Sequence, residues 1–209
     1  MIALRGVGFA FGGQSVIGQV SVTVPSGGLL LVTGANGSGK TTLLRLVLGL
    51  LRPQTGTVEG VAGRRLAAVF QEDRLAPGLT AQANVRLVLR GRRRGSGEPS
   101  GGAAFLVRET LLAAGLDADA IGRPVRHLSG GQRRRVCLVR ALAAVADGAS
   151  LVVLDEPFSG IDREGLPELI ALAGRHLAGR DVVLVSHEPP GAAVAAAWGR
   201  DPVLLELPA

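Results

Sequence analysis

One cysteine in 209 residues, Cys137, excludes an internal disulfide framework and a zinc site built from cysteines. Lysine is almost as scarce: of 23 basic residues, Lys40 alone is lysine and the rest are arginine. Aromatic residues make up 3% of the chain, too few to supply the stacking platforms of a single-strand nucleic-acid binder. No apolar run reaches the roughly 18–20 residues that a membrane-spanning helix needs. The longest lie at 136–146, which Arg140 interrupts, and at 192–198. The opening residues carry an arginine and two glycines and no continuous apolar segment, so no signal peptide is expected. The chain is therefore expected not to cross a bilayer on its own, and any membrane association would run through a partner.

What is present describes a folded chain. Apolar residues make up 47% and charged residues 19%, and the length suits one domain with a sizeable core. The net charge of +6 would suit a polyanionic partner. The excess of arginine over lysine reads instead as a coding preference that leaves solvated arginine faces. Lys40 then becomes informative, because something at that position required a lysine.

Apolar alternation predicts half-exposed strands at 2–9 and 20–24. Short continuous apolar runs at 29–33, 150–154 and 182–186 predict buried parallel strands. Further strands are expected at 57–61 and 66–70, and an edge strand at 203–207. Helices are expected at 40–51, 81–90, 103–114, 130–146 and 166–177. From 71 to 127 strand signals vanish, and 91–102, "GRRRGSGEPSGG", reads as a flexible linker. Strand and helix alternate on either side of this stretch. The fold class expected is α/β, with a mostly parallel sheet and helices on its faces.

Three segments carry chemistry. Gly34-Ala35-Asn36-Gly37-Ser38-Gly39-Lys40-Thr41-Thr42 matches G-x-x-x-x-G-K-[ST], between a buried strand and a helix. Its glycines let backbone N–H groups turn inward around phosphate oxygens, and the helix adds its positive end. Lys40 can reach the β- and γ-phosphates, and Thr41 offers a hydroxyl to Mg²⁺. The second segment, residues 151–156, is an apolar strand ending in Asp155 and Glu156, which suits a metal–nucleotide site: Asp155 for the ion, Glu156 as the base that polarises water. The third is Leu128-Ser129-Gly130-Gly131-Gln132. Ser129 is the expected N-cap of the next helix, and the glycines leave N–H groups uncovered as a second anion cradle. For Ser-Gly-Gly alone an ordinary capped helix is the favoured explanation. One γ-phosphate cannot fill two cradles far apart on one chain. Unless the fold joins them, the second must serve a nucleotide held by another copy.

Taken together, the segments resemble the ATP-binding cassette (ABC) ATPases along essentially the whole chain. The P-loop at 34–42, Gln71 after a strand, "LSGGQ" at 128–132, "LVVLDE" at 151–156, "SGID" at 159–162 and His187 after "VVLVS" stand in the family's order. The resemblance implies a P-loop NTPase core, an N-terminal antiparallel β-subdomain and an inserted helical subdomain. It implies one ABC ATPase domain over 1–209, with the nucleotide-binding core at 1–71 and 131–209 and the helical subdomain at 72–130. It implies ATP and Mg²⁺ as cofactors, with Thr41, Gln71 and Asp155 toward the metal, and Lys40, Gln71, Glu156 and His187 as the catalytic set. It places Phe11 against adenine, where the family usually has tyrosine. Gly34, Asn36, Gly37, Ser38, Gly39 and Thr42 line the phosphates. Ser129, Gly130, Gly131, Gln132 and Asp162 serve the nucleotide across a dimer, with Gly160-Ile161 standing where the family often has Ala-Leu.

The stretch 69–85, "VFQEDRLAPGLTAQANV", resembles importer subunits for nitrate, sulfonate and taurine, departing from them at Ala76 and Gly78. It makes Glu72, Asp73, Arg74 and Leu75 candidate coupling residues toward a permease. The expected assembly is a second ABC subunit, identical or not, and an integral membrane permease, with a substrate-binding protein as a further candidate and no nucleic acid. The expected place is the cytoplasmic face of the cell membrane. An exporter subunit and a soluble ABC ATPase, such as one serving iron–sulfur cluster assembly, remain open alternatives.

Overall fold

The computed structural model describes residues 1–89, 101–186 and 190–208. In chain order its elements are β1 (Ile2–Phe11), β2 (Gln14–Val24), β3 (Leu29–Gly34), α1 (Lys40–Val47), β4 (Thr55–Glu59), β5 (Leu66–Val69), α2 (Ala81–Arg86), α3 (Gly101–Ala113), α4 (Ala118–Gly122), a 3-10 turn at Val125–His127, α5 (Gly130–Ala146), β6 (Leu151–Asp155), α6 (Leu166–Leu177), β7 (Asp181–Val185), α7 (Pro190–Ala197) and β8 (Val203–Leu207). They pack into two units. One comprises Met1–Ala68, Ala149–Glu156 and Leu177–Ala209; the other comprises Val69–Gly148 and Pro157–His176. These boundaries differ from the expected 71/72 and 130/131: α5 and nearly all of α6 pack with the other helices. The expected linker 91–102 lies mostly outside the described residues, and its last two glycines open α3.

The first unit holds two sheets. Antiparallel β2-β1-β4 contains the N-terminal strands, and the second sheet runs β5-β6-β7-β3-β8. Within it β6–β7, β7–β3 and β3–β8 pair in parallel, with Leu31 opposite Leu184 and Leu204. All of β6 and β7 and the first four residues of β3 are buried. This is why they read as unbroken apolar runs: a parallel strand covered on both faces gains from an apolar side chain at every position. In β8, exposed and half-buried residues alternate as an edge strand requires. Leu43, Leu44, Leu46 and Val47 of α1 join Leu30, Val32, Leu151, Val153, Val183 and Val185 in the core. Each such burial is worth about 2 kcal/mol. Because β3 lies between β7 and β8, the chain leaves β3 at the ends of the parallel strands, where a phosphate loop belongs.

The helix expected at 40–51 stops at Val47. Leu50 N–H donates to Arg45 O (2.8 Å) and Gly49 N–H to Leu46 O (3.1 Å). Gly49 has φ +69°, a left-handed turn that ends the helix and that glycine adopts without steric cost.

The elements of the second unit are helices joined by loops, apart from the end of β5 at Val69. Thr80 caps α2 by accepting from Ala83 N–H, and Asp117 caps α4 by accepting from Ala120 N–H. Asn84 is fully buried and ties the preceding loop together: its Oδ1 accepts from Ala76 N–H, and its Nδ2 donates to Ala76 O, Leu79 O and Thr80 O. No helix among the described residues is long and apolar enough to cross a membrane.

The expectation of solvated arginine faces fails at several positions. In the first unit Arg64 Nη1 donates to Asp181 Oδ2 at 2.6 Å and its Nε to Ser150 Oγ at 3.0 Å. In the second, Arg134 and Arg135 are buried. Composition could not reveal this, because a buried arginine needs particular partners and those lie far along the chain.

Candidate nucleotide site

The loop from Gly34 to Gly39 joins β3 to α1. Gly39 stands at the helix N-cap with φ +94°, and no side chain caps the helix. The first N–H groups of α1 are thus left for an anion. A Cβ at Gly39 would lie 2.7 Å from Val16 O, so β2 also demands a glycine here. Lys40 Nζ donates to Gly34 O and Ala35 O, both at 2.7 Å, which folds the ammonium back over the loop. An ammonium carries three donors, so one remains for a phosphate oxygen. Ser38 Oγ is buried without a hydrogen-bond partner. A polar atom so placed costs free energy unless a ligand satisfies it. This cradle fits a polyphosphate.

Asp155 ends β6 and is 3% exposed. Thr41 Oγ1 donates to its Oδ2 at 3.3 Å. A hydroxyl and a carboxylate beside a phosphate cradle form the hard-oxygen set that Mg²⁺ takes when the phosphates complete its shell. Glu156 follows with φ +49°, a left-handed backbone rare for glutamate, and its N–H donates to Val185 O at 3.0 Å. Such strain gathers at functional sites. No sequence signal announced it. Phe11 ends β1, half exposed, with its ring edge-on to Phe9 at 4.9 Å between centroids. Lys40, Thr41, Asp155 and Glu156 therefore stand together on one sheet and its loop, and Phe11 belongs to the same unit.

The second unit carries Gln71, Ser129–Gln132 and Asp162. Gln71 is exposed. Ser129 caps α5, accepting from Gln132 N–H at 3.1 Å, while Gln132 Oε1 accepts from Ser129 N–H at 2.9 Å. This reciprocal capping box was readable as S-x-x-Q. It engages Ser129 Oγ and Gln132 Oε1 as acceptors. Asp162 accepts from Gly165 N–H at 2.9 Å and from Arg135 Nη2 at 2.8 Å. The Gly165 amide first, then Arg135, hold its carboxyl below the usual range. His187 lies outside the described residues.

The basic run at 133–135 is committed to internal partners: Arg133 to Asp73 and Leu128 O, Arg134 to Phe70 O and Gln71 O, and Arg135 to Asp162 and Ala114 O. Cys137 is buried next to Asp73. Desolvation and then the Asp73 charge push its thiol up to about 11, so it is a protonated, unreactive side chain.

A buried parallel strand, a glycine loop, a helix opening on Lys-Thr and an aspartate at the end of another strand of that sheet define a P-loop nucleotide hydrolase. Residues 17–159 match the family described as ABC transporter, and the chain belongs to that family, an ATP-binding family of ATPases. It is 42% identical over 161 residues to the aliphatic sulfonates import ATP-binding protein SsuB 3 of Nocardia farcinica, covering 77% of this chain and 59% of that protein. It is 41% identical over 192 residues to the cytochrome c biogenesis ATP-binding export protein CcmA 2 of Salmonella paratyphi A, covering 86% of each. Among solved structures, the ATP-binding cassette MJ0796, a dimer in a post-hydrolysis state bound to ADP and Pi, superposes with a TM-score of 0.79 at 26% identity, covering 99% of this chain and 94% of that one.

Proposed function

We propose that this chain is the nucleotide-binding subunit of a membrane importer, which closes on ATP as a dimer and drives a separate integral membrane permease from the cytoplasmic face. Both units would serve as one ABC ATPase domain. The observation that carries the reading is the cradle of Gly39, Lys40 and the uncapped start of α1, with Thr41 and Asp155 beside it.

The roles follow from the chemistry of each group. The N–H groups of Gly37 to Thr42 bind the β- and γ-phosphates, and Lys40 neutralises their charge. Ser38 Oγ gains the acceptor it needs. Phe11 offers an apolar face to adenine. Thr41 and Asp155 would hold Mg²⁺, with Gln71 as a further ligand; the ion would spread the charge that develops on the transferred phosphoryl group. Glu156 accepts the proton of the attacking water. His187 is proposed to touch the γ-phosphate. Ser129–Gln132 of one copy would cap the nucleotide held by the P-loop of the other, with Asp162 facing that dimer contact. In α5 the capping box uses Ser129 Oγ and Gln132 Oε1 as acceptors, so the Ser129 hydroxyl, the Gln132 amide N–H groups and the backbone N–H groups of Gly130 and Gly131 are the donors offered to a phosphate.

Import is favoured by the stretch 69–85 and by the name of the sulfonate relative. The name of the CcmA relative favours export, and the two readings share all the chemistry above. The test has three arms. Lys40→Ala should weaken ATP binding by roughly ten- to hundredfold, the loss expected for one charge-assisted contact. Ser129→Arg should abolish turnover and leave single-chain ATP affinity unchanged. The protein purified from native membranes should bring a permease with it. Undiminished affinity in the first variant, or undiminished turnover in the second, would overturn the site; a soluble scaffold in place of a permease would overturn the transport reading.

A further inference from the structure

Helix α5 does more than present the Ser129 cradle. Its arginines grip the loop that carries Gln71. Arg134, 4% exposed, sends Nη1 to Phe70 O at 2.5 Å and to Gln71 O at 3.2 Å. Arg140 Nη1 donates to Arg74 O at 2.6 Å. Between these anchors lies Asp73, a half-buried carboxylate turned toward the helix. It accepts from Arg133 Nε at 3.2 Å and lies 3.8 Å from Arg134 Nη1. Arg133 Nη1 in turn donates to Leu128 O at 2.7 Å, the carbonyl immediately before Ser129. One carboxylate thus joins the backbone around Gln71 to the backbone that enters the Ser129–Gln132 cradle.

We infer that Asp73, through Arg133 and Arg134, is a positioning residue that locks Gln71 and the Ser129–Gln132 cradle into one rigid body, so that any displacement of the loop is delivered to the cradle. The argument is electrostatic. Arg133 donates to a partly desolvated carboxylate that also stands in ion-pair range of Arg134, and charge-assisted contacts in such a site are stronger than neutral ones. Removing Asp73 takes a counter-charge away from Arg133 and Arg134 and loosens the tie between the loop and α5. Phe70 adds stiffness from the other side, since the Arg74 guanidinium stacks over its ring at 3.9 Å. Asp73 is thereby assigned an inward task, in contrast to the outward, permease-facing one expected from its sequence neighbourhood. Glu72 beside it is exposed and keeps that outward candidacy.

The inference rests on the roles proposed above for Gln71 and Ser129–Gln132, and its test separates the two. Hydrogen–deuterium exchange compares the wild-type protein with Asp73→Asn and Asp73→Glu. Asp73→Asn should speed exchange in 70–75 and in 128–133 together, and Asp73→Glu should restore both. Faster exchange in 70–75 alone, or an equal rise across the whole second unit, overturns the tie. Steady-state hydrolysis is the second readout. Asp73→Asn should lower kcat about tenfold with the KM for ATP within about twofold, because the P-loop is untouched. Asp73→Glu should recover most of the rate, and Asp73→Asn combined with Arg133→Gln should be no worse than the poorer single variant. Unchanged kcat in Asp73→Asn overturns the positioning role. A wild-type protein that hydrolyses no ATP would sink the functional reading, while the exchange arm would still decide the tie.

Discussion

The hydroxyl of Thr41 donates to Asp155 Oδ2 across 3.3 Å, joining residues 114 positions apart. The contact exists because β3 and β6 run parallel in one sheet and deliver the start of α1 and the end of β6 to the same edge. If this pair holds the ion, Asp155→Asn should lower ATP affinity about tenfold in the presence of Mg²⁺ and leave binding undiminished in EDTA, since one charged ligand is lost and the phosphate cradle is intact. Nucleotide titration with and without the metal measures both. Equal affinities in Mg²⁺ would remove Asp155 from the metal set.

Glu156 occupies a left-handed backbone region at φ +49°. For a side chain with a Cβ this costs about 1 kcal/mol, which glycine does not incur. Glu156→Gly should therefore be more stable than Glu156→Ala by about that amount in urea unfolding, against the usual penalty for glycine. The same position tests the chemistry. Glu156→Gln should keep ATP bound but slow hydrolysis by at least about 100-fold, the contribution of a general base, and should accumulate an ATP-bound dimer on gel filtration. A variant that remains monomeric in saturating ATP would speak against the facing-dimer mechanism.

Asp181 opens β7 beneath Arg64, the Gly27 amide and the N-terminal ammonium. Burial raises its pKa, but hydrogen bonds from Arg64 and Gly27, with the positive charges of Arg64 and the N-terminus, outweigh burial and hold the carboxyl below the ordinary range. A pKa lower in the folded than in the unfolded chain contributes stability above the unfolded value, and that contribution is lost as the pH falls through the folded one. Asp181→Asn should cost about 3 kcal/mol at pH 7, as breaking a buried ion pair does. The deficit should begin to shrink below about pH 4, where Asp181 of the unfolded chain protonates, and should vanish as the pH falls through the lower folded value. Urea midpoints at pH 7 and pH 3 give the comparison; a deficit independent of pH would mean that the charge of Asp181 does not matter.

The parallel strands and the P-loop were legible because their causes are local. A strand buried on both faces must be apolar throughout, so 29–33, 150–154 and 182–186 declared themselves, each within a residue of the strand that forms. A phosphate cradle needs glycines at fixed offsets, and a helix that starts on Ser-x-x-Gln carries its own cap. The end of α1 is also marked locally, since Gly49 supplies the stop, but the leucines that run to 51 mask it.

The inward arginines were not legible. Arg64, Arg134 and Arg135 look like any of the other arginines until Asp181, Phe70 O and Asp162 are brought to them by segments far away in sequence. The same holds for the left-handed backbone of Glu156. Composition and short-range pattern decide which stretches become strand, helix or phosphate loop, because those choices depend on steric and hydrogen-bonding rules that act within a few residues. Which carboxylate meets which guanidinium depends on the order of strands and the packing of helices. That is a long-range outcome, and it alone turned a basic run on α5 into the frame that holds Gln71.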